Sequence, residues 1–316
     1  MSSFVIKPVG DGLGDCFFIE LSNECWKNII MVDGRDGTKN NNFDIEKAIE
    51  LYISIDYLIV THVDKDHING VIKLIKSNPD KFSNTVIIYN YVTRSTISFS
   101  HAVKFEKLLS ENCVIPTCRK DYSMYSSPCL KLLSYYKRCN FDIEDKQRSI
   151  ACLTLIHPDK AGVDEVYDEY RRKYNIGKPY NSKLINRNSI AFIIEFMDKT
   201  VLFTGDCEFS LLVKKLENLW NFKNKKIDMI KIPHHGAKEN CNELAKYSEI
   251  HNCKTFLLTG EKNWAKKKEH PSEKVLNELL GVFGDLVKIY TNIDLTEFEK
   301  KIGFTLTDKK LEILLV

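Results

Sequence analysis

Asp56-Tyr57-Leu58-Ile59-Val60, followed at once by Thr61-His62-Val63-Asp64-Lys65-Asp66-His67, is the stretch on which the reading of this chain turns. The first five residues are mostly β-branched, aromatic or aliphatic, the composition of a buried strand. The following residues place His62, Asp64, Asp66 and His67 within six positions. That cluster is therefore expected on the loop at the strand's C-terminal end, where open α/β folds concentrate their chemistry. Imidazole nitrogens and carboxylate oxygens are the ligand types of zinc, manganese and iron. Without a cation, so dense a group carries a large desolvation and repulsion cost. The plain alternative is a solvated polar loop, and the surroundings decide between the two.

Three further strands end in the same way. Val201-Leu202-Phe203-Thr204-Gly205-Asp206 closes on a carboxylate, and Ile230-Lys231-Ile232-Pro233-His234-His235-Gly236 closes on two histidines. Thr255-Phe256-Leu257-Leu258-Thr259 leads through a short basic loop to His270-Pro271-Ser272. Strand ends of this kind gather their ligands at one edge of a sheet.

The His-x-Asp-x-Asp-His cluster, Thr204-Gly205-Asp206 and the Lys231 to Gly236 stretch resemble the metallo-β-lactamase superfamily, nearest to the hydrolase domain of the competence protein ComEC. Gly10-Asp11-Gly12-Leu13-Gly14-Asp15-Cys16, Val32-Asp33-Gly34, Asn188-Ser189-Ile190-Ala191-Phe192 and His270-Pro271-Ser272 extend the likeness from about residue 4 to residue 290. Residues 91–187 fit the pattern poorly. The resemblance implies an α/β protein, a four-layer αββα metallo-β-lactamase sandwich, with a mostly helical insertion. One domain would span residues 1–316.

The chain's 316 residues suffice for one elaborated domain, and 43% hydrophobic content suffices for a sizeable core. No stretch approaches the ~18–20 apolar residues of a membrane span. The start, Met1-Ser2-Ser3-Phe4-Val5-Ile6-Lys7, reads as a strand and lacks a signal peptide's apolar core. Unlike the membrane protein ComEC, this chain is expected to be a free-standing cytoplasmic relative. The ten cysteines include no Cys-x-x-Cys pair and read as reduced thiols, with Cys207 a buried one beside Asp206.

Along the chain, Phe4 to Val32 reads as three strands joined by glycine turns, followed by an asparagine-rich loop at 38–42. Helices are expected over 44–54, capped by Asp44, and over 68–77. Strands are expected at 86–89 and 152–156, a hairpin over 190–204, and a helix over 208–219. Most of 91–150 reads as helical.

Carboxylates mixed with imidazoles suit two divalent ions, whose mutual repulsion needs anionic ligands. Such a pair acidifies a water and clamps a phosphate or carbonyl oxygen. The resemblance implies that His62 and Asp64 hold one ion, that Asp66 and His67 hold the second, and that Asp206 bridges them. It implies that His270 closes the second site. His234 and His235 would act on the scissile phosphate with Asp66 beside them, one histidine donating to the phosphoryl oxygen and the other reaching a metal. Asp64 stands where hydrolytic β-lactamases carry histidine, which tilts the preference from zinc towards manganese or magnesium. No separate histidine matches the one that completes the first site. His157, in Leu155-Ile156-His157-Pro158, is either that ligand or a plain strand end. Asp33 reads as a support for the ligands. His101 and His251 read as structural or surface groups.

Substrate is signalled less directly. A net charge of +3 creates no global basic field. Locally, Lys262, Lys266, Lys267 and Lys268 crowd the loop before His270, with Trp264 among them. This suits a phosphate backbone and a stacked base, or is simply a solvated loop. Tyr135-Tyr136-Lys137-Arg138 and Tyr170-Arg171-Arg172-Lys173-Tyr174 pair aromatics with bases, as a clamp would or as helical packing would. The leading expectation is a metal-dependent phosphodiesterase or nuclease acting on DNA, single-stranded DNA included. The alternative is hydrolysis of a small ester, lactone or thioester on the same fold. A non-catalytic scaffold is disfavoured by the intact ligand set.

Overall fold

The computed structural model describes residues 2–10, 14–24, 26–35, 42–89, 104–105, 107–109, 129–131, 151–159, 161–166, 168–169, 181–218, 225–260, 270–303, 305–308 and 313–315. Six strands form a first sheet: β1 (Ser3–Pro8), β2 (Phe17–Ser22), β3 (Lys27–Val32), β4 (Tyr57–Val60), β5 (Val86–Tyr89) and β14 (Ile313–Leu314), in the order β14-β1-β2-β3-β4-β5. Eight form a second: β6 (Cys129–Lys131), β7 (Ala151–His157), β8 (Ala191–Phe196), β9 (Lys199–Phe203), β10 (Met229–Lys231), β11 (Thr255–Leu258), β12 (Lys288–Thr291) and β13 (Thr307–Asp308), in the order β13 to β6. Both sheets are mixed. Each has an antiparallel side, β1-β2-β3 or β6-β7-β8-β9, which continues into parallel strands, β3-β4-β5 or β9-β10-β11-β12-β13.

Side-chain alternation stacks these sheets. Phe17, Ile19, Ile30, Val32 and Ile59 point from the first sheet into a core shared with Phe192, Ile194, Val201, Phe203 and Leu257 of the second. At its centre Phe203 stacks on Phe192 at 4.8 Å and on Phe17 at 5.3 Å between ring centroids. The alternate residues Phe18, Met31, Leu58 and Val60 face the helices α1 (Asn42–Glu50) and α2 (Lys65–Ser77). The apolar stripe of α2 is Ile68, Val71, Ile72 and Ile75, spaced i, i+3, i+4, i+7 as helix packing requires. After α3 (Ser182–Arg187), the outer face of the second sheet is covered by α4 (Phe209–Asn218), α5 (Leu244–Ile250), α6 (Glu273–Phe283) and α7 (Thr296–Ile302). The result is the expected α/β fold, a four-layer αββα sandwich of two mixed sheets.

Several local expectations are corrected. α2 starts at Lys65 rather than at residue 68, because the Asp64 carbonyl accepts from the backbone N–H groups of both His67 and Ile68 at 3.0 Å. Asp66 and His67 therefore sit in a helical first turn, not on a loop. α1 spans 42–50, so Asp44 lies inside it rather than at its cap, and Leu51 and Ile53 follow it exposed. The β2–β3 turn needs no glycine: the Asn23 side-chain oxygen accepts from the Trp26 N–H at 3.0 Å. Cys16, Cys207, Cys241 and Cys253 are buried free thiols as expected, whereas Cys152, half-buried on β7, is disulfide-bonded. Most of 91–150 lies outside the described residues. Among the described residues, no helix is long and apolar enough to cross a membrane.

One consequence of this topology places the chemistry. The C-terminal ends of β3, β4, β9, β10 and β11 and the N-terminal ends of β2 and β8 meet at one edge of the sandwich. The N–H of Ile190 donates to the Thr61 carbonyl at 2.8 Å and ties the two sheets together there. Gly14, at φ +79°, passes under α2 so closely that a Cβ would lie 1.5 Å from the Asp66 carbonyl oxygen. Only glycine lets the β1–β2 loop reach the first turn of α2.

Candidate metal centre

Asp33, immediately after β3, is fully buried and holds a left-handed φ of 52°. Its carboxylate accepts from the Thr61 N–H at 2.7 Å, the Thr61 hydroxyl at 2.6 Å and Nδ1–H of His67 at 2.8 Å. With its own hydrogen committed to Asp33, the Thr61 hydroxyl presents lone pairs to His62, whose Nδ1 lies 3.0 Å away and 3.2 Å from the Ser189 hydroxyl. In both histidines the Nδ1–H is thus consumed by support groups. Nε2 remains as the outward-facing donor, the arrangement in which a ligand histidine is oriented through its second nitrogen.

Both Nε2 atoms face Asp206, which follows β9. Asp206 Oδ2 lies 3.5 Å from His67 Nε2 and 3.9 Å from His62 Nε2, and the His234 Nε2 is 3.8 Å from the same oxygen. These separations are too long for good hydrogen bonds. The buried Nε2 atoms of His62 and His67 have no hydrogen-bond partner. Buried polar atoms left in this condition around a carboxylate are what a shared cation would satisfy. His62, His67 and Asp206 form one grouping able to hold a metal ion, and Asp66, His67 and His235 form another. In a third grouping, Asp15, Asp33 and His67, the atoms are already committed. Asp33 and His67 are bonded to each other, and Asp15 is taken up by Lys231 and the Thr259 hydroxyl. Asp66 is the solvent-facing member, its side chain 40% exposed and Oδ2 4.0 Å from His67 Nε2. His235 is buried and hydrogen-bonded through Nδ1 to the Thr259 carbonyl at 2.7 Å, so Nε2 is the nitrogen that a metal could take. The donor set, three buried imidazoles and two carboxylates, fits a zinc, manganese or iron ion.

Asp64 and His270 fall in none of these groupings. Asp64 occupies the N-cap position of α2, and the His270 ring lies beside His234 at 5.9 Å between centroids. His157 is not brought to the centre either. It is buried at the end of β7, with Nε2 donating to the Arg187 carbonyl at 2.8 Å. His251 donates through Nδ1 to the Lys225 carbonyl at 2.8 Å, the satisfied structural role expected of it. His101, Lys262, Trp264, Lys266, Lys267 and Lys268 lie outside the described residues, as do Tyr135-Tyr136-Lys137-Arg138 and Tyr170-Arg171-Arg172-Lys173-Tyr174.

Two charged residues complete the centre; both lie inside the sequence motifs, which gave neither of them a role. Lys231, the last residue of β10, is buried and ion-paired to buried Asp15. Its ammonium also donates to the Gly205 carbonyl at 3.1 Å and lies 3.8 Å from Asp206 Oδ1. A lysine at an apolar strand end looks like a snorkelling surface residue. The cue that could have found it is that a β-strand buried on both faces gives its ammonium no route to water.

Electrostatics follow from this packing. Burial works to raise the pKa of Asp206, but the facing histidines His234, His67 and His235 hold it well below the ordinary carboxylate value. Burial works against protonated His67, yet Asp206 and Asp33 on either side raise its pKa well above 6.5. A metal ion taking Nε2 must displace that proton, so metal affinity rises with pH. Burial, reinforced by neighbouring His67, pushes His62 well below 6.5. Burial lowers His235 to about 4 and His157 to about 4.

No family model and no curated protein sequence matches the chain. The class defined by fold and site is an αββα sandwich with a buried histidine–aspartate centre at one sheet edge. Among solved structures, it is similar to Tm1679, described as a metal-dependent hydrolase of the β-lactamase superfamily, at 9% identity and TM-score 0.42, covering 91% of this chain and 95% of that one. It is also similar to CmlA, a diiron β-hydroxylase from Streptomyces venezuelae, at 13% identity and TM-score 0.39, covering 99% of this chain and 54% of that one. A metallo-β-lactamase from Pontibacter korlensis aligns at 12% identity and TM-score 0.33, covering 72% and 86%. The chain spans about half the length of the CmlA chain it matches.

Replacing Lys231 by methionine strands the Asp15 carboxylate in the core, and denaturant titration should show a loss of roughly 3–5 kcal/mol. Lys231→Met combined with Asp15→Asn should recover most of it, since the charge is then removed with its partner. A single variant as stable as the parent contradicts the buried pair. For His157 the folded pKa of about 4 lies below the ordinary 6.5. Between those values the unfolded chain binds a proton that the folded chain does not, so stability falls as pH falls through that window. Above pH 6.5 the contribution is fully present. His157→Gln should flatten the parent's stability–pH slope between 6.5 and 4; an unchanged slope contradicts the assignment.

Proposed function

We propose that the chain is a metal-dependent hydrolase of the metallo-β-lactamase superfamily, akin to the ComEC hydrolase domain, acting in the cytoplasm as a phosphodiesterase or nuclease on DNA, single-stranded DNA included. The observation that carries the metal-dependent reading is the convergence of three imidazole nitrogens on Asp206 Oδ2 at 3.5–3.9 Å. His62 and Asp206 would help hold one divalent ion and Asp66 and His235 a second, with His67, whose Nε2 has a single lone pair, available to only one of them. Zinc and manganese fit this donor set best, and magnesium is compatible with its carboxylates. Bound there, the ions supply Lewis-acid polarisation of a phosphoryl oxygen and a water acidic enough to ionise near neutral pH.

The chain's own residues do the rest. Asp33 and Thr61 hold His67 and His62 in one orientation. Lys231 balances the charge of Asp15 and Asp206 beneath the site. Asp66, partly open to solvent, stands where it can accept a proton from an attacking water. The phosphodiester reading is supported by the sequence resemblance and by Lys266, Lys267 and Lys268 ahead of His270, which suit a polyanionic backbone.

Purified protein should hydrolyse single-stranded DNA and a generic phosphodiester only with added manganese or zinc. Asp206→Ala should abolish both activities while the chelated protein still folds and unfolds cooperatively. Alanine at Lys266, Lys267 and Lys268 together should weaken DNA binding and flatten its salt dependence while sparing the small phosphodiester. Cleavage of lactones or thioesters with no action on phosphodiesters would overturn the nuclease reading in favour of small-ester chemistry.

A further inference from the structure

Asn240 lies in the 3₁₀ turn Lys238–Cys241, just after the paired histidines, and its side chain joins two parts of the centre. Its Nδ2 donates to the Asp206 backbone carbonyl at 2.8 Å, and its Oδ1 lies 3.1 Å from His234 Nδ1. The hydrogens in this chain of contacts follow from what each atom can do. The Asp206 carbonyl only accepts, so it must face the nitrogen end of the Asn240 amide. The amide oxygen is then turned to His234, and it too only accepts. His234 Nδ1 therefore carries the hydrogen, and Nε2 carries the lone pair.

That lone pair is 3.8 Å from Asp206 Oδ2, the oxygen His62 and His67 also face. The path closes on itself, running from the Asp206 carbonyl through Asn240 and His234 back to the Asp206 carboxylate. The backbone is built to hold this pose. His234 and His235 both adopt left-handed conformations, at φ 43° and 52°, which cost energy in residues carrying a Cβ. The N–H of His234 is also tied to the Gly205 carbonyl at 3.3 Å. Unlike His62 and His67, the His234 side chain is 30% exposed, so it approaches Asp206 from the solvent side.

We propose that Asn240 is a positioning residue, which locks His234 as the Nδ1–H tautomer and so presents a third imidazole lone pair to a cation held at Asp206 Oδ2. This rests on the reading of the centre as a metal site, not on its being a nuclease. It gives His234 a ligand role, where the sequence left open which of His234 and His235 reaches a metal and which donates to the phosphoryl oxygen. With Nδ1–H spent on Asn240, the ring has no second hydrogen to offer a phosphoryl oxygen unless it is first protonated.

The test is long-range ¹H–¹⁵N correlation on the full chain with ¹⁵N-labelled histidine, after chelation and at alkaline pH, with His234 assigned from the His234→Gln variant. The expected result is a hydrogen on Nδ1 of His234, and a shift of its Nε2 when zinc is added, together with those of His62 and His67. By calorimetry, Asn240→Ala should lower zinc affinity by about 10–100-fold, the usual effect of losing a residue that orients a ligand. Asn240→Asp, which still accepts from Nδ1–H but sets an oxygen against the Asp206 carbonyl, should lose less zinc affinity than Asn240→Ala; an Asn240→Ala variant that binds zinc as the parent does overturns the positioning role. A hydrogen on Nε2 of His234 in the parent chain overturns the proposal and needs no variant to fold. So does a zinc titration that moves His62 and His67 but leaves His234 unmoved. Zinc that moves none of the three removes the metal centre itself, and the proposal with it, whereas failure to cleave DNA leaves both standing.

Discussion

The centre depends on one buried carboxylate. Asp33 sits where β3 ends, fully out of water, and burial raises its pKa above the ordinary carboxylate value. What makes that burial tolerable is three donors: the N–H and hydroxyl of Thr61 and Nδ1–H of His67. Each of those bonds also does something for the fold or the site. The Thr61 pair fixes the chain as it leaves β4, and the His67 bond sets which nitrogen of that ring looks outward. The Thr61 hydroxyl, committed to Asp33, passes the same instruction on to His62. Removing the carboxylate would free His62 and His67 at once, with the turn that carries them.

The second sheet supplies a counterpart of opposite sign. Lys231 is a cation with no access to water, paired with Asp15 and standing 3.8 Å behind Asp206. Asp15 arrives on the β1–β2 loop, Lys231 on β10, and Asp206 on the turn after β9, so the ion pair joins elements far apart in sequence. Asp206 is thereby placed between a fixed ammonium on its Oδ1 side and imidazoles on its Oδ2 side. The carboxylate has one oxygen turned to each, which is a reason for it to keep a single orientation. Buried pairs of this kind bring specificity of arrangement more than net stability.

Much of this is legible in the residues alone. Strands β4, β9, β10 and β11 are readable because continuous apolar runs of β-branched and aromatic residues have few other uses, and the first three run into turns that carry the histidines and aspartate of the metal groupings. His62, His67 and Asp206 follow from those ends. The helix start at Lys65 is not legible, since the polar Asp64-Lys65-Asp66-His67 run reads equally well as a loop, and only the Asp64 carbonyl's bonds to the N–H groups of His67 and Ile68 show it to be a first helical turn. The choice between His235 and His270 for the Asp66–His67 grouping is equally hidden. It depends on the left-handed turn at His234 and His235, which swings the second ring inward onto the Thr259 carbonyl. Asn240 and Lys231 carry no ligand signature of their own, and only their hydrogen bonds reveal them.

The central claim is that these converging lone pairs form a metal centre, and a crystal soaked in manganese tests it most directly through anomalous scattering. The expected result is an anomalous peak within coordination distance of His62 Nε2, His67 Nε2 and Asp206 Oδ2. A peak confined to exposed carboxylates, or none at this edge of the sandwich under saturating manganese, would contradict it.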